Sequence, residues 1–383
     1  MTRPFATVGL IVSLLLLPLG GRQVTRGQGR GAAGVKKDEV VADLERLIPR
    51  LMGEGDVPGL SVALIRGADV YWHGAFGVKN AETREPLDDA TVFEAASLGK
   101  PVLAYAVLKL ADAGRIDLDK PLSSYLPAPY LQGDERVKLI NARMVLSHTT
   151  GFQNEVTPGK PLKIYFTPGD KFSYSGEGFL YLQKVVERIT GERLDAFMKR
   201  TVFDPLGMAG SSYVWRDGYE RSKASGHNAA GAVGGMRRPA EARASTLHTT
   251  VLDFAKFVVA VMKGTGLRTE TAREMLKTQA RVEEGCYSCI GRDAGRLSET
   301  LSWGLGWGLE RAKGGEAFWH WGENNGEFQN FVMAYPGRKT GVVIFTNSGN
   351  GISVMPEIVS RALGGAHPAF AWMGYEPYRA RRQ

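Results

Sequence analysis

The pattern that most restricts the fold is a separation along the chain. Strand-like residues stand near both ends, and helix-like residues fill the space between. Near the start, "LSVALIRGADVYWHGAFG" gives two β-rich runs around Gly67-Ala68, which predicts a hairpin. In the last third, "WGLGWGLERA", "EAFWHWG", "EFQNFVMAYP" and "TGVVIFTN" are separated by Gly- or Pro-containing turns, the pattern of an antiparallel meander. Hairpin and meander are expected to join in one sheet. The middle then becomes an insertion forming a second, helical lobe. The sheet lobe is assigned to about 35–100 and 290–365, the helical lobe to about 100–290, and a C-terminal tail to 366–383.

Helices follow from apolar spacing. In "DEVVADLERLIPRLM", Val40, Val41, Leu44, Leu47, Ile48 and Leu51 share one face. Asp38 can cap that helix, and Pro49 is expected to kink or shorten its end. "KPVLAYAVLKLADAG" is a helix closed by Gly114, with Ser97 and Lys100 at its start. Further helices are expected at "ARMVLSH", "GFLYLQKVVERITG", "VLDFAKFVVAVMKG" and "SVMPEIVSRALG".

Residues 1–30 do not belong to this fold. Arg3 precedes an apolar run from Val8 to Leu19, then Gly20 and Gly21, then a Gly/Arg/Gln-rich stretch. This is the layout of a secretory signal peptide and linker, so a secreted or periplasmic location is expected. No later run is long enough to span a membrane. Half of the formal net charge of +8 sits on Arg3, Arg22, Arg26 and Arg30, and Arg379, Arg381 and Arg382 lie in the expected tail. No basic stripe remains to hold nucleic acid. "GRGAAG" at Gly29–Gly34 fits a dinucleotide fingerprint but follows no strand. The two cysteines, Cys286 and Cys289, lack the further ligands a tetrahedral zinc site needs. A disulfide in a surface insertion is the expectation for an exported chain. No sequence signature calls for a metal or cofactor.

Ser97 and Lys100 stand three apart, so on a helix they share a face. A serine hydroxyl is a weak nucleophile until a neighbour takes its proton. A lysine in a dry pocket can lose its own proton and become that neighbour. S-x-x-K also occurs by chance, as a first-turn serine beside a solvated lysine. Tyr174 lies in the Ser/Gly-rich loop "KFSYSGEGF" before a helix. It is either a proton relay or a packed aromatic. His320, before Trp321-Gly322, either lines a substrate cleft or is a half-buried strand histidine. A glycine there lets a substrate backbone approach.

The ordered set "FEAASLGK", "LSHTTGF", "TPGDKFSYSGEGFLYL" and "HWG" before "VVIFTN" resembles the β-lactamase-related serine hydrolases. That family includes class C β-lactamases, D-alanyl-D-alanine carboxypeptidases, D-aminopeptidases and β-lactamase-like esterases. The resemblance implies a β-lactamase/transpeptidase-like α/β (α+β) fold, an antiparallel sheet flanked by helices with an all-helical lobe. It implies Ser97 as acylated nucleophile, Lys100 as its proton acceptor and Tyr174 as relay to the leaving group. Either Lys100 or Tyr174 can be the base. His320-Trp321-Gly322 matches the K-T-G or H-x-G strand, and the N–H groups of Ser97 and Glu323 would form the oxyanion hole. The implied substrate is a small ester, β-lactam or D-amino-acid peptide. A catalytically silent peptidoglycan-binding or scaffold protein is the alternative of another class.

Two departures bear on specificity. Gly176 stands where the family's Y-x-N has Asn, which tilts the expectation toward esters. His320 replaces a fixed lysine charge with a group that titrates near 6.5 when unperturbed, at about that value in free peptides. Protonated His320 is therefore expected to hold a substrate carboxylate and lose it as pH rises. Trp321 is bulky and is expected to narrow the cleft or pack on an apolar acyl group. Lys339-Thr340-Gly341 follows the turn residues Pro336-Gly337 and is expected at a hairpin tip, outside the cleft.

Overall fold

Ten strands lie among the described residues: β1 (Gly59–Arg66), β2 (Asp69–Gly77), β3 (Phe93–Ala96), β4 (Leu247–Thr249), β5 (Ala280–Glu283), β6 (Leu297–Trp303), β7 (Gly308–Ala312), β8 (Gly315–Asn324), β9 (Phe328–Tyr335) and β10 (Thr340–Thr346). The helices are α1 (Glu39–Glu54), α2 (Gly99–Asp112), α3 (Ala142–Leu146), α4 (Gly176–Thr190), α5 (Leu194–Met198), α6 (Tyr219–Ser222), α7 (Val251–Lys263), α8 (Thr269–Met275), α9 (Met355–Leu363) and α10 (Pro368–Trp372). The computed structural model describes residues 38–378 apart from 294 and 313. The expected signal peptide and the terminal arginines lie outside the described residues.

Eight strands form one antiparallel sheet in the order β2-β1-β10-β9-β8-β7-β6-β5. The early hairpin and the late meander do join: β1 pairs with β10 from Leu60↔Thr346 to Arg66↔Thr340. Asn325 and Gly326, both at positive φ, turn β8 into β9, and Glu327 N–H donates to Asn324 O at 3.0 Å. Asn-Gly is the pair such a tight turn favours, because it asks for positive φ twice.

The sheet is buried on both faces. Alternate residues of β1 and β10 go to opposite cores: Ala63, Ile65, Val343 and Phe345 to one, Leu60, Val62, Leu64, Val342 and Ile344 to the other. A strand covered on both sides loses its polar alternation, which is why "VVIF" is uninterrupted. The first core contains α2 and α7; the second contains α1 and α9.

Several boundaries differ from the sequence expectation. Helix α1 runs through Pro49 to Glu54, because Leu51 and Met52 are buried beyond the proline. Burial of that face outweighs one lost backbone hydrogen bond. Helix α7 packs on β1, β2 and β10, so it covers the sheet and does not belong to a separate lobe. The sheet begins again at β5, ahead of residue 290, and β4 pairs with β3 inside the stretch assigned to helices. "WGLGWGLERA" is split by a turn at which Gly304 N–H donates to Trp307 O. The tail boundary at 366 also moves: Ala369, Phe370 and Trp372 of α10 are buried in the second core.

Candidate active site

Ser97 is placed by the end of β3. The pairing of β3 with β4 slips between Glu94 and Ala96, and Ala96 sits at φ 51°. A left-handed alanine costs on the order of 1 kcal/mol. This kink turns the chain from strand into α2 and leaves Ser97 only partly covered. Glu94, two residues before the kink, is pinned by Lys223 at 2.8 Å and Arg237 at 2.8 Å, and its backbone oxygen accepts from Asn330 Nδ2 at 2.9 Å. Removing one member of such a buried group strands the remaining charges, so β3 is held firmly.

Lys100 follows on the first turn of α2. Its Nζ donates to Ser97 Oγ at 2.8 Å. The residue is 3% exposed, and among the described residues no carboxylate forms an ion pair with it. Burial pulls its pKa down to about 7, opposed by the Glu155 carboxylate. The solvated-lysine alternative is thereby excluded.

Tyr174 lies under the ammonium, with Lys100 Nζ 4.9 Å from the ring centre. Its ring is held between His148, centroids 4.2 Å apart and stacked, and Trp321, 4.9 Å apart. Burial raises the phenol's pKa, and Ser97 beside it works in the opposite direction. The hydroxyl is buried without a well-formed protein hydrogen bond. A phenol so placed stays protonated at neutral pH.

His320 stands 6.0 Å from Tyr174, ring centre to ring centre, and is fully buried. Its Nδ1 lies 2.7 Å from Trp321 O, which assigns the proton to Nδ1 and leaves Nε2 unpaired. Burial, then the nearby Lys100, push its pKa down to about 3. The expected cationic clamp for a carboxylate is therefore corrected: His320 is neutral at physiological pH, because among the described residues no acid offsets its desolvation.

Gly322 has a different reason from the one expected. A Cβ there would lie 2.1 Å from Ala95 O, so the close approach is to the chain's own β3. Beyond Trp319 the pairing of β8 with β7 ends, while pairing with β9 continues to Asn324. Glu323 lies on that stretch and is exposed. Gly176 opens α4, and a Cβ there would lie 2.7 Å from Asn154 O. The absent side chain leaves no vacancy, because Asn154 occupies the space. Lys339-Thr340-Gly341 is elsewhere. Gly322 is level with Asn330 and Phe345, and Gly341 lies four residues from Phe345 along β10, about 13 Å in the strand direction.

Cys286 and Cys289 are bonded to each other. The surface insertion expected for them is corrected, since both cysteines are buried. Tyr174 N–H donates to Tyr287 O at 2.8 Å, and Cys289 N–H donates to Ser173 Oγ at 3.0 Å. The Cys-x-x-Cys loop thus fixes the backbone that carries Tyr174, and Tyr287 meets the edge of Trp321 at 6.1 Å. Glu283 and the two cysteines form a cluster, but bonded sulfurs offer no thiolate to a metal. A cavity of about 1230 Å³ between α7–α8 and β6–β8 is lined by none of the residues above.

A family model described as Beta-lactamase matches residues 44–361. The chain belongs to the Beta-lactamase family. Penicillin-binding protein 4 of Amycolatopsis lactamdurans is 25% identical over 338 residues, covering 82% of this chain and 87% of that protein. Protein flp of Staphylococcus aureus (strain N315) is 19% identical over 327 residues, 79% of this chain, and the chain spans 62% of its length. The solved D-alanine carboxypeptidase AmpC from Burkholderia cenocepacia superposes with a TM-score of 0.71 at 19% identity, covering 85% of this chain and 99% of that one. Its likeness places the sheet and flanking helices in the Beta-lactamase fold.

Two residues of this Beta-lactamase family site were not assigned roles from sequence. His148 accepts from Ser175 N–H through Nδ1 at 3.0 Å and sits at φ 56°. "LSHTTGF" was legible only as part of the resemblance; nothing in it announces a ring stacked on Tyr174. Asn154 lies six residues further on, and only the tertiary fold brings it to Gly176.

Proposed function

We propose that this chain is a serine hydrolase that works through an acyl-enzyme on Ser97. One observation carries the reading: a fully buried lysine, poised to be neutral near pH 7, lies at hydrogen-bond distance from a serine at a strained strand-to-helix kink. Neutral Lys100 takes the Oγ proton as Oγ adds to the substrate carbonyl. The resulting oxyanion faces the N–H groups of Ser97 and Glu323. Tyr174, a neutral phenol, gives a proton to the leaving group and regains one from the Lys100 ammonium. Water then cleaves the acyl ester by the reverse route. The pKa directions favour Lys100 over Tyr174 as base, since a base works best with a pKa near the operating pH.

Neutral His320 favours uncharged esters over carboxylate-bearing β-lactams and D-amino-acid peptides. A bonded Cys286–Cys289 supports an oxidising location, and with it the exported, signal-peptide-bearing protein read from residues 1–30. Among the described residues no helix is long and apolar enough to cross a membrane. The test is a panel of p-nitrophenyl butyrate, nitrocefin and a D-Ala-D-Ala peptide, with Ser97→Ala in parallel. Ester turnover above the other two, lost in Ser97→Ala, is expected. Turnover that persists in Ser97→Ala would rule out the nucleophile; none with any substrate would favour a silent binder.

A further inference from the structure

The leaving-group side of the site has an aromatic wall. Tyr174 gives its proton to the departing group, so that group must lie against Tyr174, whose ring meets Trp321 at 4.9 Å. Tyr287 comes next, edge-on to Trp321 at 6.1 Å. It is 44% exposed, although the cysteines on either side of it are buried and bonded. Trp372 also packs on Trp321, at 6.3 Å, and its Nε1 donates to Glu283 O at 2.7 Å. These contacts bring the chain after α10 to the site. Tyr375 is half-buried there; burial raises its phenol's pKa, and Glu323 and Tyr287 are close enough to raise it further. Tyr375 lies beyond the residues 44–361 that match the family model, so this part of the wall comes from outside the matched region.

One carboxylate stands among these rings. Alternate residues of a strand share a face. Trp319 and Trp321 of β8 belong to the second core, and Glu323 ends the same row. Its backbone N–H is the second oxyanion donor proposed above, so its side chain begins beside the reacting carbonyl. The residue is exposed, yet desolvation raises its carboxyl pKa, and among the described residues no cation opposes that shift. His320, two residues before it in the wall, is neutral and supplies no counter-charge. A carboxylate without a counter-ion, flanked by tryptophan and tyrosine rings, makes this recess electronegative. Cations are drawn to the acid by charge and to the ring faces by their quadrupole.

Resting on the acyl-enzyme reading above, we infer that Glu323, Tyr287, Tyr375 and Trp321 bind a cationic group on the leaving-group part of the substrate. The class this selects is esters of amino alcohols, with the ammonium a few bonds from the scissile oxygen. A neutral chain of the same shape fills the recess but leaves the carboxylate without a partner. A carboxylate on the leaving group is repelled, which agrees with the missing cation at His320. The Tyr287 loop is already held by its disulfide and by Tyr174 N–H, so little freedom remains to be lost when the substrate arrives. The four side chains determine specificity; none of them takes a proton or bonds to the reacting carbon.

The experiment compares acetylthiocholine with 3,3-dimethylbutyl thioacetate on the full chain. The two thioesters share one shape and differ by a quaternary nitrogen in place of a carbon. The readout is the ratio of their kcat/KM values, each divided by its rate with hydroxide, in wild type, Glu323→Gln and Tyr287→Leu. Glutamine keeps the backbone N–H and the side-chain length and removes only the charge. The wild-type ratio should favour the cation by about tenfold, and Glu323→Gln should remove most of that preference. Tyr287→Leu keeps the backbone oxygen that accepts from Tyr174 and should lower the ratio by about threefold. Both thioesters are read on one preparation, so a partly folded variant slows them together and leaves the ratio intact. A wild-type ratio near one, or a preference that survives Glu323→Gln, overturns the cationic subsite while the acyl-enzyme reading stands. A wild-type protein that hydrolyses neither thioester overturns the acyl-enzyme reading itself, and this inference with it.

Discussion

A lysine with no acid at hydrogen-bond distance does not keep its proton well when it is buried. Lys100 is such a group, and its pKa falls to about 7 from 10.5. Below about pH 7 both folded and unfolded chains hold the proton, and the whole cost of burying the charge is present. Between about 7 and 10.5 only the unfolded chain holds it, so stability rises with pH, by about 1.4 kcal/mol per unit. Lys100→Met removes this term. It should therefore stabilise the protein more at pH 6 than at pH 9, read from urea unfolding midpoints. An equal gain at both pH values would mean that Lys100 is not depressed. Ser97, Lys100 and Tyr174 were legible because their chemistry depends on short spacing and on the loop before a helix. The charge state of His320 was not. Sequence shows that a histidine precedes Trp321-Gly322; only packing shows Trp303, Trp307 and Tyr174 around it.

Strands and helices deliver these groups through local devices. The slip at the end of β3 aims Ser97, and the close approach of Gly176 to Asn154 joins the start of α4 to the loop after α3. The Cys286–Cys289 loop holds Tyr174 through Tyr287 O and Ser173 Oγ. Opening that loop should cost catalysis as well as stability. Closing so short a loop stabilises by about 2 kcal/mol. The double variant Cys286→Ser/Cys289→Ser should lose about that much, measured by chemical denaturation, and kcat on an ester should fall by about tenfold or more as Tyr174 loosens. Full activity in the unbonded variant would separate the loop from the site. The pairing was visible from two cysteines in an exported chain, but its place was not. Contact between residues 173–174 and 287–289 is a property of the fold, and neither segment has a pattern that names the other.

At the scale of the molecule, the sheet is built from both ends of the chain, and each face is sealed by helices. That architecture was legible: β-rich runs bounded by turn residues at the two ends satisfy their backbone groups only by pairing. The edges of the lobes were not, because α7 and α10 resemble any amphipathic helix and their place is decided by which sheet face lies bare. Ending the chain at residue 365 would strip Phe370 and Trp372 from the second core. Loss of two buried aromatics is worth several kcal/mol, about 3 for each, so a chain ending at 365 should melt well below one ending at 378. Equal melting temperatures would restore the shorter boundary. The packed whole serves one chemical purpose, which is to keep Lys100 dry beside Ser97. The most direct test is labelling with an uncharged fluorophosphonate ester across pH 5 to 9, with the modified residue located by peptide mass. Label is expected on Ser97 alone, at a rate that rises with pH through about 7 as Lys100 loses its proton. Label on another residue, or a rate on Ser97 that does not change across that range, would contradict it.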